Sequence, residues 1–469
     1  MVSCVNVILA QSLIQSRKIT AQSSHGQGTC PLDTLLHPRW IVTVDAQDRI
    51  LGDHSLLIRK GRIADIQPTS ALRGKLAGVK EMDLPQHALL PGLINAHTHA
   101  AMTLLRGLAD DLPLMEWLNE HIWPAERRWV NADFVRDGTR HAVAEMVRGG
   151  ITCFNDMYFF PDITGHTAAE AGMRAVVGLI VIDFPSAWAA GPDEYLEKGL
   201  KVHETFRGHH LIRTAFAPHA PYTVSDGPLS RIRTLSDELE IPVHIHVHET
   251  DDEIRDGLDR HNRRPMERLD GLGLLSPSLL GVHMTHLTDE EIERYADSGA
   301  HTVHCPESNL KLASGFCPVQ RLLDIGVNVA LGTDGASSNN DLDLFAEMRT
   351  AALLAKAVAG NAAALPAKQA LRMATINGAK ALGLDQELGS LETDKSADLI
   401  AVDLGGIETQ PLYHPESQLV YAGGRDQVRH VWVAGKPLLH DGRLTTLDEA
   451  EVIAASGQWA ERIAGTKTN

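Results

Sequence analysis

Residues 90–99, Leu90-Pro91-Gly92-Leu93-Ile94-Asn95-Ala96-His97-Thr98-His99, read as a short buried strand that runs out into two histidines. An apolar run of this length beside a Pro-Gly pair argues for a strand covered on both faces. Seven further runs have the same texture: Ile151–Asp156, Arg174–Val181, Arg213–Pro218, Val243–His248, Leu279–Met284, Ala300–Cys305 and Val327–Thr333. Segments of helix length separate them. Eight such strands alternating with helices predict an α/β fold, a closed (β/α)8 barrel of the TIM type spanning residues 89–386. An open doubly wound sheet is the rival, but no Gly-x-Gly-x-x-Gly turn follows the first strand.

Two intervening helices can be drawn on local grounds. Asp341 to Ala359 carries Leu342, Phe345 and Met348 on one stripe, with Asn340 as the expected N-cap. Pro366 opens a second helix, expected to run through Leu371, Ala374 and Ala381 to a stop at Gly383.

Outside the barrel the text turns to short alternating strands at both ends, Ile41–Val44, Ser55–Ile58 and Gly61–Ile66, then Ala397–Val402 and Val428–Val433. Residues 31–88 and 387–445 are therefore expected to form one small β-sandwich domain drawn from both chain ends. Residues 446–469 read as a C-terminal helix. Residues 1–30 lack a basic start or a long apolar stretch, so they read as a disordered tail and not a secretory signal.

Of 469 residues, 43% are apolar and 22% charged, ordinary values for a globular chain able to bury a large core. A net charge of −17 argues against nucleic acid or an anionic membrane as partner, and no apolar run has the length to span a bilayer. The five cysteines show no CxxC spacing, which points to a reducing compartment, the cytoplasm. Cys305 and Cys317 read as buried small apolar groups. Exposed apolar helix faces lead us to expect a homo-oligomer.

The active face of such a barrel is formed by the C-terminal ends of its strands. There the sequence places His97 and His99, Asp156, His219, His246-Val247-His248-Glu249, His283, His304 and Asp334. His97 and His99 are two residues apart, so an extended chain points both imidazoles to one side. His244, His246 and His248 share one strand face in the same way. His244, deepest in the barrel, reads as a core histidine, and the pattern leaves open which of His246 and His248 reaches an ion. Three imidazoles and one carboxylate suit one divalent metal ion, zinc first, with iron(II) and manganese as alternatives, and leave room for water. Such an ion lowers the pKa of bound water to roughly 7 from about 16. No lysine lies between Gly208 and Ile254 to bridge a second metal, which favours a single-metal site.

The motifs as a set resemble the amidohydrolase superfamily, and within it the methylthioadenosine/S-adenosylhomocysteine deaminases. The likeness rests on Leu90 to His99, on Thr103-Leu104-Leu105-Arg106-Gly107-Leu108-Ala109-Asp110-Asp111-Leu112, and on Phe216-Ala217-Pro218-His219-Ala220-Pro221-Tyr222. It continues through His246-Val247-His248-Glu249-Thr250, His304 to Leu312 and Leu331 to Ala336, covering about Pro38 to Arg443. Triazine chlorohydrolases share much of it. The resemblance implies that His97, His99, His246 and Asp334 hold the metal and that Glu249 shuttles a proton to the purine ring. It implies that His283 hydrogen-bonds the attacking water, that Glu126 accepts from the ribose hydroxyls and that His219 faces the substrate. Asp156 and His304 are expected to orient the ligands.

The implied reaction is hydrolytic loss of the 6-amino group from a small-molecule nucleoside. An amino- or chlorohydrolase of another heterocycle is the alternative, and a non-catalytic nucleoside-binding barrel a distant third. The stretch after strand three, Gly178 to Lys198, contains no arginine and reads Asp183-Phe184-Pro185-Ser186-Ala187-Trp188. An apolar loop suits a methylthio or hydroxyl group better than a charged homocysteine tail, unless Arg255, Arg260 or a second subunit supplies the missing charge.

Overall fold

The computed structural model describes residues 33–465. The expected tail at residues 1–30, with Cys4 and Cys30, and the final residues 466–469 of the C-terminal segment lie outside it.

Eight strands run parallel in chain order: Leu93–Thr98, Ile151–Asp156, Arg174–Val181, Ile212–Pro218, Val243–Val247, Leu279–His283, His301–His304 and Asn328–Leu331. They form a nearly closed barrel with helices outside. Its seam is stitched by side chains: the Asn95 amide donates to Thr333 Oγ1 at 2.7 Å and accepts from the Thr333 N–H at 3.0 Å. The Asp334 N–H donates to the His97 carbonyl at 3.1 Å. Gly332 permits this approach, because a Cβ there would lie 2.8 Å from the His97 Cβ.

The strands stop short of the apolar runs that announce them. His248, Met284, Cys305 and Thr333 fall beyond the strand ends. His248, His283, Met284 and Asp334 have φ of 56°, 76°, 52° and 60°, the left-handed region that non-glycine residues seldom adopt. At the other end, Leu90 and Pro91 belong to Lys80–Pro91, a strand of the second sheet, and the barrel strand starts at Leu93.

That second sheet has nine strands from both chain ends. Lys80–Pro91 is its hinge, parallel to Thr34–Val42 on one side and antiparallel to Leu399–Asp403 on the other. Leu36, Ile41, Leu56, Ile63, Leu399 and Trp432 are buried in its own core. The Arg174 guanidinium ties it to the barrel, donating to both Asp398 carboxylate oxygens at 3.0 and 3.2 Å with both side chains buried.

Two helix expectations need correction. The first helix is Leu344–Ala359, capped by Asp343 rather than Asn340, because the Asp343 carboxylate accepts the Phe345 and Ala346 N–H groups. The second is broken into Ala367–Met373 and Ile376–Ala381, since Thr375 leaves the helical region between them. Glu449–Ala464 forms the C-terminal helix, its Trp459 ring packed edge-on against Phe134. Among the described residues no helix is long and apolar enough to cross a membrane. Cys153, Cys305 and Cys317 are buried and free, and burial pushes the Cys153 thiol up to about 12.

Candidate metal centre and active site

His97 and His246 on strands one and five, and His99 and Asp334 just past the ends of strands one and eight, each offer one ligand atom, all within 4.8 Å of one another. Nε2 of His97 and Nε2 of His99 lie 3.1 and 3.2 Å from Asp334 Oδ1, and Nε2 of His246 lies 3.1 Å from that of His97. The outer atoms of the same groups are engaged elsewhere. His99 Nδ1–H donates to the Met157 carbonyl at 2.5 Å, and His246 Nδ1–H to the His219 carbonyl at 2.8 Å. Asp334 Oδ2 accepts from Ser308 and Ser338 at 2.7 and 2.8 Å. Ring nitrogens and a carboxylate oxygen turned inward, with their outer atoms anchored, are what a metal-ligating set requires, so these residues fit a divalent ion. Burial alone would raise the Asp334 carboxyl, but hydrogen bonds from His97 and His99 outweigh it and hold the group well below the usual range.

His248, the other histidine the strand pattern left open, turns away. The left-handed backbone at this residue breaks the alternation, and its ring bonds the His286 carbonyl and the Met266 N–H, each at 3.0 Å. Glu249, next in the chain, is buried, with Oε1 accepting from Ser314 at 3.3 Å and Oε2 3.8 Å from His283 Nε2. The charge run 249–253 conceals Glu253, also buried. Its carboxylate accepts the backbone N–H of His248 at 3.0 Å and of Glu249 at 2.8 Å, clamping the turn that carries Glu249.

His283 donates from Nδ1 to Asn309 Oδ1 at 2.8 Å, and its ring stacks on His246 with centroids 5.4 Å apart. Ser308, Ser338, Asn309 and Glu253 were all missed by sequence reasoning. Each is a common polar residue to which the sequence assigns no role until the fold supplies its partner. Asp156 acts on the backbone, accepting the Ala100 N–H at 2.7 Å just after His99. His304 corrects the expectation: its Nδ1 is buried without a hydrogen-bond partner, and no bond joins its ring to a ligand.

A cavity of about 520 Å³ opens over this cluster. His99, His219, His246, Glu249, His283 and Asp334 form its floor, and Trp117, Leu118, Ile122, Trp123, Phe184 and Pro185 line much of its wall. Trp123 and Phe184 meet edge-on across it, centroids 6.0 Å apart. Glu126 enters from Trp123–Trp129, a helix preceded by a π-helical turn at Trp117–Ile122, a distortion often found at functional sites. Burial pushes the Glu126 carboxyl up to about 7, with Tyr158 and His99 drawing it back. Arg127 is the one cation among the lining residues. Arg255 and Arg260 do not reach the cavity and pair with Asp252 and Asp256 on their own helix.

The amidohydrolase family matches residues 88–438. A 5-methylthioadenosine/S-adenosylhomocysteine deaminase of Teredinibacter turnerae is 52% identical over 93% of this chain and 98% of its own. A crystal structure of an adenosine deaminase from Xanthomonas campestris with bound zinc is 51% identical, covering 93% and 99% of the two chains with a TM-score of 0.91. An atrazine chlorohydrolase from Arthrobacter aurescens, 23% identical over 91% of this chain and all of its own, shares the fold with a TM-score of 0.85. The chain belongs to the amidohydrolase family of metal-dependent hydrolases.

Proposed function

We propose that this protein hydrolyses the 6-amino group of adenine nucleosides, exchanging a C–N bond for C=O and releasing ammonia with the inosine analogue. The observation that carries the reading is a half-buried carboxylate, Glu126, on the wall of an apolar cavity whose floor is the three-histidine, one-aspartate cluster. The close relatives named for this reaction support it.

His97, His99, His246 and Asp334 would hold the ion, which we assign as zinc on the donor set and on the zinc-bound Xanthomonas structure. When bound, such an ion makes water acidic enough to attack at neutral pH. His283 Nε2 accepts from the attacking water and fixes its approach, since its Nδ1–H is spent on Asn309. Negative charge builds on the purine as the bond forms, and Glu249 delivers a proton to the ring nitrogen beside the reacting carbon. Asp334 takes the first proton the water loses and passes it to the departing amine, and the proton left on the new C–OH returns to Glu249 as C=O forms. Glu126 accepts hydrogen bonds from the ribose hydroxyls, His219 faces the base, and the Trp123–Phe184 side of the cavity receives the 5′ group.

That side is apolar, so 5′-methylthioadenosine and adenosine are the preferred substrates over S-adenosylhomocysteine. The buried free cysteines fit a reducing compartment, and we assign the protein to the cytoplasm. A panel of adenine nucleosides, adenine, guanine and chlorotriazines, scored for ammonia and chloride, tests the reading. Ammonia from nucleosides supports it; chloride from triazines with no nucleoside turnover refutes it.

A further inference from the structure

His97 differs from the other two histidine ligands. His99 and His246 lean on backbone carbonyls, whereas Nδ1 of His97 lies 2.8 Å from Nε2 of another imidazole, His244. His244 is fully buried, and its Nδ1 lies 3.1 Å from the Asn155 amide nitrogen. That amide also donates to the Ala96 carbonyl at 2.9 Å, while its oxygen is buried with no partner. Strands one, five and two each contribute one member of this row.

A neutral imidazole has one donor and one acceptor, so the row has a direction. A His97 that gives its Nε2 lone pair to an ion must carry its proton on Nδ1 and donate to His244 Nε2. The His244 proton then sits on Nδ1 and needs an acceptor. The unpartnered Asn155 oxygen is that acceptor, brought round by rotation of its amide at the cost of the bond to the Ala96 carbonyl. Each ring keeps one proton throughout, so no charge is buried.

We infer that His244 and Asn155 are positioning residues for the metal ligand His97, forming a relay that keeps its proton on Nδ1 and its Nε2 lone pair free for the ion. The inference rests on the proposed metal centre, which is checked separately by finding one zinc per chain in the unaltered protein.

The test is zinc affinity, measured on the full chain by chelator competition, for the unaltered protein and for His244→Leu, His244→Gln and Asn155→Asp. Loss of the acceptor in His244→Leu is expected to weaken zinc binding about 10- to 100-fold. The Gln variant, which keeps an oxygen acceptor, is expected to recover most of that loss. Asn155→Asp, with acceptors only, is expected to bind zinc at least as tightly as the unaltered protein. A merely structural His244 would make Leu and Gln equivalent, and that equivalence overturns the inference. Should His244→Leu fail to fold, Asn155→Asp decides alone: weaker zinc binding there overturns the relay.

Discussion

Nε2 of His283 lies 3.8 Å from Oε2 of Glu249, and both groups are buried at the floor of the same cavity. Each has its other polar atom occupied, His283 by Asn309 and Glu249 by Ser314. One free edge of each therefore faces the space where a water and a purine ring nitrogen would meet. Burial raises the Glu249 carboxyl, as does Asp334, against the opposing pull of His283, and a carboxyl that keeps its proton more readily is suited to deliver one.

Glu249→Gln preserves the shape of the side chain and an acceptor for Ser314 but cannot cycle a proton. Zinc content should be unchanged and kcat should fall about 10²- to 10⁴-fold. Measured turnover close to the unaltered rate would remove Glu249 from the mechanism.

Glu126 carries a pH prediction. Its carboxyl is pushed up to about 7 by burial, whereas in the unfolded chain it titrates near 4.3. Between those values the folded protein binds the extra proton, so stability from this group is lost as pH rises through the window. The same ionisation is what ribose recognition needs, because a carboxylate accepts from two hydroxyls and a neutral acid is a poorer acceptor. KM for adenosine should fall from pH 6 to 8. In Glu126→Gln it should be higher and flat, while the melting temperature rises relative to the unaltered protein as pH goes from 5 to 8. An identical KM profile in the two proteins would refute the assignment.

The barrel and the His97–His99 pair were legible because both obey simple periods, whereas the choice of His246 over His248 came from the family resemblance and not from the pattern. Apolar runs of strand length recur between helices, and the two-residue spacing of His97 and His99 survives folding intact. The residues that escaped are those governed by departures from period. Left-handed backbone at His248 swings its ring out of the alternation, and similar turns at His283 and Asp334 re-aim those side chains at the site. Glu253 looks like surface charge until helix 251–261 folds back to clamp residues 248 and 249. His304 shows the converse, a residue at the right topological level whose Nδ1 is buried with no hydrogen-bond partner. Strand-end position alone cannot separate these outcomes, since it fixes the Cα and not the backbone angles that follow it.

The barrel and the small sheet share a buried ion pair whose loss should be felt. Arg174 and Asp398 are both nearly inaccessible, and Arg174 also donates to the His210 carbonyl and Ser396 Oγ. Arg174→Ala would strand a carboxylate in the interior, a cost of about 3–5 kcal/mol. Denaturant unfolding should register most of it. The double variant Arg174→Leu with Asp398→Leu should lie closer to the unaltered protein, because no unpaired charge remains. A double variant as unstable as Arg174→Ala would show that packing, not charge, dominates the joint.

The last prediction concerns the 5′ substituent. Phe184, Pro185 and Ala187 present apolar surface to the cavity, and Arg127 is the one cation among its lining residues. An amino-acid tail entering there would give up water around a carboxylate and an ammonium, with at most one opposite charge to receive them, whereas a methylthio group gives up only apolar exposure. Assayed side by side, kcat/KM for 5′-methylthioadenosine and adenosine should exceed that for S-adenosylhomocysteine by tenfold or more. Phe184→Arg should narrow the ratio by placing a second guanidinium at the cavity wall. If S-adenosylhomocysteine is the best substrate of the unaltered protein, the tail is met by charge from outside this lining, and the apolar wall is not what selects.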